Sequence, residues 1–181
     1  MKHAKKNLLG LLLVISAAMP SDGRASDNTT PITVSKNAEL QTGDTWKDGD
    51  KTYRLYGVQS CLRGTSAIGH DDERIDCGSA SLAQLMAVMS SSRVTCQPIG
   101  FALDRAIFVI CGAEIGGNTL DLGTALISTG YAFAAADMTG KAVNANYLVA
   151  EINAKVEREG LWAMTFQHPV SLLLREAAST K

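Results

Sequence analysis

The stretch KDGDKTYRLYGV, residues 47–58, is the segment on which the fold prediction depends. Its opening residues Lys47-Asp48-Gly49-Asp50 are typical of a turn, and the part from Thr52 to Val58 is rich in β-branched and aromatic side chains. This combination predicts a β-hairpin or a meander. The structured domain is expected to begin shortly before it, near Asn37, because residues 26–36 are polar and predict a flexible lead-in.

Helical spacing of apolar residues begins after Ser79. The residues that stand at i, i+3, i+4 and i+7 are Leu82, Leu85, Met86 and Met89. They predict a helix that ends in the serine run at residues 90–92. The same spacing predicts a shorter helix over residues 121–129, and Gly130 suits the left-handed conformation that often follows a helix.

A third helix is predicted near the carboxyl end of the domain. Leu148, Ile152 and Val156 form an i, i+4, i+8 stripe with charged residues on the other face, which is typical of an amphipathic helix. Gly160 stands where the chain is expected to leave this helix. Pro169 is expected to open a last short helix that runs to Ala178.

Two further strands are predicted between the first and second helices. They cover residues 93–97 and 106–111, with Pro98 and Gly100 in the connection, and they are expected to pair as antiparallel neighbours. The order of strands, helix, strands and helices contains no repeat. It predicts an α+β domain built on a small antiparallel barrel.

The segment from Arg63 to Asp76 contains a cluster of groups that could bind a metal: His70, Asp71, Asp72 and Glu73. The simpler interpretation is a solvated loop, because such clusters are common on protein surfaces. We therefore predict a loop here and no metal site.

The amino-terminal segment has the layout of an export signal. Lys2, Lys5 and Lys6 precede an uncharged apolar run from Leu8 to Met19. Ala25 is a small residue suited to the position before a cleavage point. We predict a signal peptide over residues 1–25, a lead-in over 26–37, the main domain over 38–166 and a helical tail over 167–181. The alternative is an uncleaved anchor; no later segment is long and apolar enough to span a membrane.

Cysteine content agrees with export to the periplasm or the medium. All four cysteines follow the predicted signal: Cys61, Cys77, Cys96 and Cys111. An even number in an oxidising compartment predicts two disulfides, although the spacing leaves all three pairings open. A zinc site is disfavoured because no C-x-x-C pair is present. The formal net charge of -1 also gives no electrostatic sign of nucleic-acid binding.

Several short motifs, taken in order, resemble the staphylococcal nuclease (thermonuclease) family. They extend from about residue 40 to residue 166, and they are GDT at 43–45, YRLYGV at 53–58, CG at 77–78, VTC at 94–96, DRAIFVIC at 104–111, LDL at 120–122, TGYA at 129–132, AE at 150–151 and GLW at 160–162. The resemblance implies a five-stranded OB-type Greek-key barrel with three helices. It also implies the disulfides Cys61–Cys77 and Cys96–Cys111.

The resemblance implies roles for three residues of a nuclease site. Arg54 and Arg105 correspond to the two arginines that contact phosphate, and Asp44 corresponds to an aspartate that binds calcium. The planar guanidinium of an arginine suits a phosphate or a carboxylate, although a surface ion pair is an equally simple role.

The acidic half of that site is replaced in this chain. Gln59 and Leu62 stand where the family has a calcium-binding aspartate and the glutamate that is the presumed general base. Leu62 cannot accept a proton, and Gln59 offers only a neutral carbonyl to a hard cation. Asp104, next to Arg105, is expected to neutralise that arginine, and Ala136 replaces a tyrosine that stacks on the nucleotide.

Two functional hypotheses follow from the resemblance. The first is a catalytically impaired, exported nuclease-like protein without a cofactor. Its partner would be an acidic polysaccharide or an envelope protein, because the whole chain resembles exported proteins encoded with rhizobial succinoglycan (exopolysaccharide) biosynthesis genes. The alternative is a calcium-dependent phosphodiesterase that acts on extracellular DNA or RNA. The segment from Gln59 to Leu62 favours the first hypothesis.

Overall fold

A computed structural model of the 181-residue chain describes residues 30–179. The predicted signal peptide, residues 1–25, lies outside the described residues. The strands are, in chain order, β1 Ile32–Thr33, β2 Glu39–Leu40, β3 Thr45–Asp48, β4 Lys51–Leu55, β5 Val58–Ser60, β6 Ser66–Ile68, β7 Arg74–Asp76, β8 Val94–Phe101, β9 Ile107–Ile115, β10 Asn118–Asp121, β11 Ala132–Ala134 and β12 Thr165–Phe166. The helices are α1 Cys77–Ser91, α2 Leu122–Ser128, α3 Ala145–Glu157 and α4 Pro169–Ser179, with a 3-10 turn at Gly160–Ala163.

The predicted hairpin at residues 47–58 is confirmed as β3 and β4. The two strands are antiparallel, and Asp48 lies opposite Lys51, so that only residues 49 and 50 form the turn. Gly49 has a φ of +60°, a left-handed conformation that glycine adopts without steric cost. The turn chemistry therefore determines the register of this hairpin.

The hairpin is part of a strongly curled, mixed sheet. The strand order is β1-β8-β9-β4-β3-β2, β10 pairs with the free end of β9, and β4 and β9 run parallel. The sheet curls into a half-barrel over a core to which Trp46, Leu55 and Val109 contribute, and α2 and α3 pack on the same core. The α+β class is thus confirmed.

The predicted strands at 93–97 and 106–111 are confirmed as β8 and β9, but both are longer. Pro98 and Gly100 lie inside β8 rather than in a connection, and a β-bulge between them accommodates the proline. The lead-in also differs from the prediction, because Ile32 pairs with Cys96 at the sheet edge. Lys36 then binds three carbonyl oxygens at the end of α1, where the helix leaves acceptors unpaired.

A second, smaller core lies beside the half-barrel. It contains buried Cys61, Cys77, Phe133 and Leu161, and it is enclosed by the sheets β11-β5 and β12-β6-β7. The prediction of a plain loop from Arg63 to Asp76 was therefore wrong in part. The segment forms the β6–β7 hairpin, and its polar cluster occupies the exposed turn at residues 70–73.

Both disulfides join elements that are already neighbours. Cys96 and Cys111 are register partners on β8 and β9, and Cys61 and Cys77 connect the chain after β5 to the start of α1. These are the pairs that the family resemblance implies.

Helices α1 and α2 follow the predictions closely. Asp76 and Asp121 cap their amino ends by accepting hydrogen bonds from Ser79 N and Thr124 N. Gly130 follows α2 with a φ of +75°, as expected. The apolar stripe of α1 is only partly buried, since Met86 is exposed.

The orientation of α3 contradicts the expectation raised by its apolar stripe. Leu148, Ile152 and Val156 are exposed, and the face that packs on α2 presents Tyr147 and Ala150 instead. Small residues allow the two helices to approach closely, and the hydroxyl of Tyr147 donates to Asp121 Oδ2 at 3.1 Å, which orients the helix.

Two further details concern the helix ends. Gly160 does not cap α3, because Arg158 takes the left-handed conformation at its end, with a φ of 58°. Helix α4 begins at Pro169 as predicted, and it packs beside β5.

Within residues 30–179, every helix falls short of the length and apolar character that a membrane-spanning segment needs.

Candidate functional site

Arg54 is held on the outward face of β4. Its neighbours Tyr53 and Leu55 point into the core, so strand alternation directs the guanidinium outward. Nη2 donates to Asp104 Oδ2 at 2.7 Å, and Nε donates to Thr45 Oγ1 at 3.3 Å. Arg54 is therefore positioned by one charged and one neutral partner.

The sequence suggested that Asp104 neutralises Arg105. In the structure Asp104 instead forms an ion pair with Arg54. Its other oxygen accepts a hydrogen bond from Ala106 N at 3.2 Å, which closes the turn before β9. The hydrogen bond from Arg54, followed by the one from Ala106, holds the pKa of Asp104 below its ordinary value. The carboxylate is thus ionised at neutral pH and engaged with Arg54.

Arg105 lies on the other side of Asp104. It occupies the turn between β8 and β9 with a φ of +69°, and its side chain is exposed. It lines a shallow cleft with Lys51, Thr52 and Phe101. Within residues 30–179 its side chain has no hydrogen-bond partner, so the structure does not bring Arg105 into the network of Arg54.

Asp44 is buried and its carboxylate is fully engaged. Oδ1 accepts hydrogen bonds from the hydroxyls of Thr42, Thr45 and Ser60, and Oδ2 accepts one from Ser60 N at 3.0 Å. Since Thr45 Oγ1 also accepts from Arg54, a continuous chain of polar contacts runs from Asp44 in the core to Asp104 at the surface. The structure thus connects Asp44 with Arg54, and sequence reasoning missed the hydroxyl side chains that make the connection.

Gln59 lies on β5, opposite Phe133 of β11. Its Nε2 donates to Ser60 O at 2.9 Å. Together with Ala136 it lines an apolar groove that is closed on one side by Val170 and Leu174 of α4. The position where the family resemblance expects a calcium ligand is therefore covered by the carboxyl-terminal helix.

Leu62 is half-buried next to the Cys61–Cys77 disulfide. Among residues 30–179, its polar contacts are made by the backbone carbonyl, which accepts hydrogen bonds from the amide and the hydroxyl of Thr65. Its side chain offers no acid or base for the role that the family gives this position.

These residues do not fit a calcium ion. Calcium takes six to eight oxygen ligands and prefers carboxylates that are free to coordinate it. Asp44 already accepts four hydrogen bonds, and Gln59 is neutral and packed against α4. In the part of the chain that the structure describes, no three His, Cys, Asp or Glu side chains are grouped as a metal site would require, and this includes the turn at residues 70–73.

An aromatic pair lies beside Arg54 on the same outward face. Phe108 of β9 is the register partner of Arg54, and its ring contacts Tyr56 edge to face with centroids 5.5 Å apart. Sequence reasoning did not single out this pair. The sequence signal that could have found the pair is strand alternation: Arg54 and Tyr56 stand on either side of Leu55, so both project from the face opposite to it.

The chain matches no protein-family model, and a search of curated proteins returns no match. The resemblance to the staphylococcal nuclease family therefore depends on the motifs quoted above.

Proposed function

We propose that this chain is an exported, OB-type nuclease-like protein that binds an acidic polysaccharide and does not hydrolyse phosphodiesters. In this proposal it serves exopolysaccharide production, such as that of succinoglycan, in the periplasm or outside the cell. The strongly curled sheet supports the OB-type barrel, a fold whose sheet faces bind oligosaccharides as well as oligonucleotides.

The engagement of Asp44 is the observation that carries the proposal. A metal ion could use this carboxylate only after it displaced hydrogen bonds from buried Thr45 and Ser60, and those donors would then lose their partner. The side chain of Leu62 cannot accept a proton in the place of the missing base. Phosphodiester hydrolysis needs a base or a metal to activate water, and this site favours neither.

An acidic saccharide suits the remaining chemistry better than a nucleic acid. Arg54 offers a single, well-positioned guanidinium, which matches the isolated carboxylates of an acidic polysaccharide. Nucleic acids carry a phosphate at every residue and are bound by rows of cations. The net charge of -1 argues against such a row. The two disulfides are typical of a protein that works outside the cytoplasm.

The test is affinity electrophoresis of the full exported chain in gels that contain succinoglycan. We expect the polysaccharide to slow migration, and we expect added salt to weaken the effect because exposed charges are screened. A gel that contains neutral dextran is the control. Equal migration in the two gels would contradict the proposal.

The same preparation is assayed for cleavage of single-stranded DNA with calcium. We expect no rate above background, since loss of one well-placed general base alone costs about 10²–10⁴-fold. Cleavage that a chelator and Arg54→Ala both abolish would establish the nuclease alternative instead.

A further inference from the structure

We infer that the outward face of β4, β8 and β9 is a saccharide subsite, on which the ring of Tyr56, supported edge to face by Phe108, stacks against a sugar ring while Arg54 binds the carboxylate of that sugar. This inference rests on the proposed function and specifies where and how the polysaccharide binds. We call this surface the aromatic face; it consists of Arg54, Tyr56, Phe108 and Ile110.

The strand register places these side chains together. Arg54 pairs with Phe108 across the parallel strands β4 and β9, and paired residues project from the same side of a sheet. Tyr56 follows two residues after Arg54 and contacts the ring of Phe108. Ile110 follows two residues after Phe108, so it projects from the same side. The guanidinium and the two rings therefore adjoin one another.

The aromatic face is open to solvent. Tyr56 and Ile110 expose 38% and 42% of their surface, which is high for large apolar residues. On the far side of Phe108 its partner on β8 is Gly100, and a methyl group added to this glycine would meet no atom within 4 Å. A ring-shaped ligand thus has free access to the exposed ring of Tyr56.

Arg54 is held in place and is still available to an anion. The bond from Nε to Thr45 fixes the guanidinium, whereas Nη1 has no hydrogen-bond partner among the described residues. The side chains of Arg54 and Asp104 are 34% and 54% exposed. Exposed ion pairs of this kind stabilise a protein only slightly, so a ligand carboxylate can replace Asp104 at little cost.

Charge and shape together select an acidic saccharide as the occupant. The C–H face of a pyranose ring packs on an aromatic ring, and one carboxylate per sugar matches the one guanidinium beside it. The adjacent cleft is lined by Lys51 and Arg105 but also by Asp50 and Asp104, so its charges balance and Arg54 is the cation that selects a carboxylate. The apolar residues alone would not distinguish a saccharide from a protein partner; the guanidinium beside the aromatic ring favours the acidic saccharide.

The experiment is isothermal titration of the full exported chain with a short oligogalacturonide and with a neutral cello-oligosaccharide of the same length. We expect Tyr56→Ala to weaken binding of both probes by about 3- to 10-fold, and Tyr56→Phe to retain it, because the ring supplies the contact. We expect Arg54→Gln to weaken the acidic probe about tenfold or more and to leave the neutral probe almost unchanged.

Matched controls separate the aromatic face from general effects. Arg74→Gln on β7 removes the same charge from another sheet, and Val149→Ala removes exposed apolar surface from α3; neither should change the affinity. Circular dichroism verifies that each variant is folded. Because Phe108 is half-buried, Tyr56 is the position on which the test depends.

Three outcomes would overturn the inference. If succinoglycan slows the wild type and the variants of Tyr56 and Arg54 equally, the proposed function stands and the aromatic face is not its site. If succinoglycan has no effect on the wild type, both proposals fail. If the aromatic face instead binds a single-stranded oligonucleotide more tightly, or mediates self-association in sedimentation measurements, the saccharide subsite is wrong.

Discussion

Three aspartates of this chain have different structural roles because their carboxylates lie near different hydrogen-bond donors. Asp44 is buried and holds the segment at residues 42–45 to β5 through neighbouring hydroxyls and an amide. Asp104 is exposed and positions Arg54. Asp76 caps α1. The three residues are of one type, but they differ in the donors that lie within reach, and those donors set their roles.

We expect Asp76→Ala to lower the free energy of unfolding by about 1–2 kcal/mol at neutral pH. Its carboxylate accepts hydrogen bonds from Ser79 N at 2.7 Å and Gly64 N at 2.6 Å. The backbone hydrogen bond from Ser79 is the main reason that the pKa of Asp76 lies below its ordinary value of 3.8. A lowered pKa in the folded state means that the stabilisation is complete above the unfolded-state pKa and is lost as pH falls through the folded-state value.

Urea unfolding of the wild type and the Asp76→Ala variant at neutral pH and at about pH 2 measures this effect. The difference between the two proteins should shrink in acid. Asp71→Ala is the control, since that side chain is 93% exposed, and we expect it to change stability by less than about 0.5 kcal/mol. An equal loss for Asp76→Ala at both pH values would show that the ionised cap is not the cause.

At the scale of elements, the joint between α2 and the 3-10 turn depends on close backbone contact. Gly130 has a φ of +75° and accepts a hydrogen bond from Leu161 N at 3.2 Å. A methyl group on Gly130 would overlap the carbonyl of Glu159. The carboxyl-terminal segment is therefore placed against α2 by a contact that only glycine permits.

We expect Gly130→Ala to lower the free energy of unfolding by about 2–4 kcal/mol, since it combines left-handed strain with a backbone clash. Gly116→Ala is the matched control, because Gly116 also has a positive φ, of 58°, but has nothing within 4 Å of the added methyl. That control should lose only about 1 kcal/mol. Equal losses in urea unfolding would contradict the role of the contact.

At the scale of the whole molecule, each of the two cores contains one disulfide. Cys96–Cys111 lies in the core under the half-barrel, and Cys61–Cys77 lies in the smaller core with Phe133 and Leu161. Each disulfide closes a short segment, with sequence separations of 15 and 16. Neither disulfide joins the two cores, which are connected instead by α1 and β11, because each of these elements contributes buried residues to both.

We expect the exported protein to begin near Ser26 and to contain both disulfides. Amino-terminal sequencing and peptide mapping without reduction check these two points on one sample. Replacing Cys96 and Cys111 together by alanine should cost about 3 kcal/mol of unfolding free energy, as expected for a loop of this length. Recovery of the intact Met1 form with free thiols from the cytoplasm would refute the export prediction.

Local features of this protein were predictable from the sequence because they depend on residues that are close along the chain. The hairpin turn at Gly49, the left-handed glycine at residue 130 after α2, and the start of α4 at Pro169 all follow from short-range chemistry. That Gln59 and Leu62 carry no carboxylate is likewise visible in the sequence alone. These features require no knowledge of what packs against them.

Only the tertiary structure decided which faces are buried and which charges meet. The stripe of α3 has the correct spacing for a core face, yet the face that packs on α2 presents Tyr147 and Ala150 instead. Asp104 adjoins Arg105 in sequence but pairs with Arg54, because the turn before β9 and the parallel pairing of β4 with β9 bring those two together. Periodicity reports how apolar residues are spaced, whereas burial and ion pairing depend on partners that are distant in the chain.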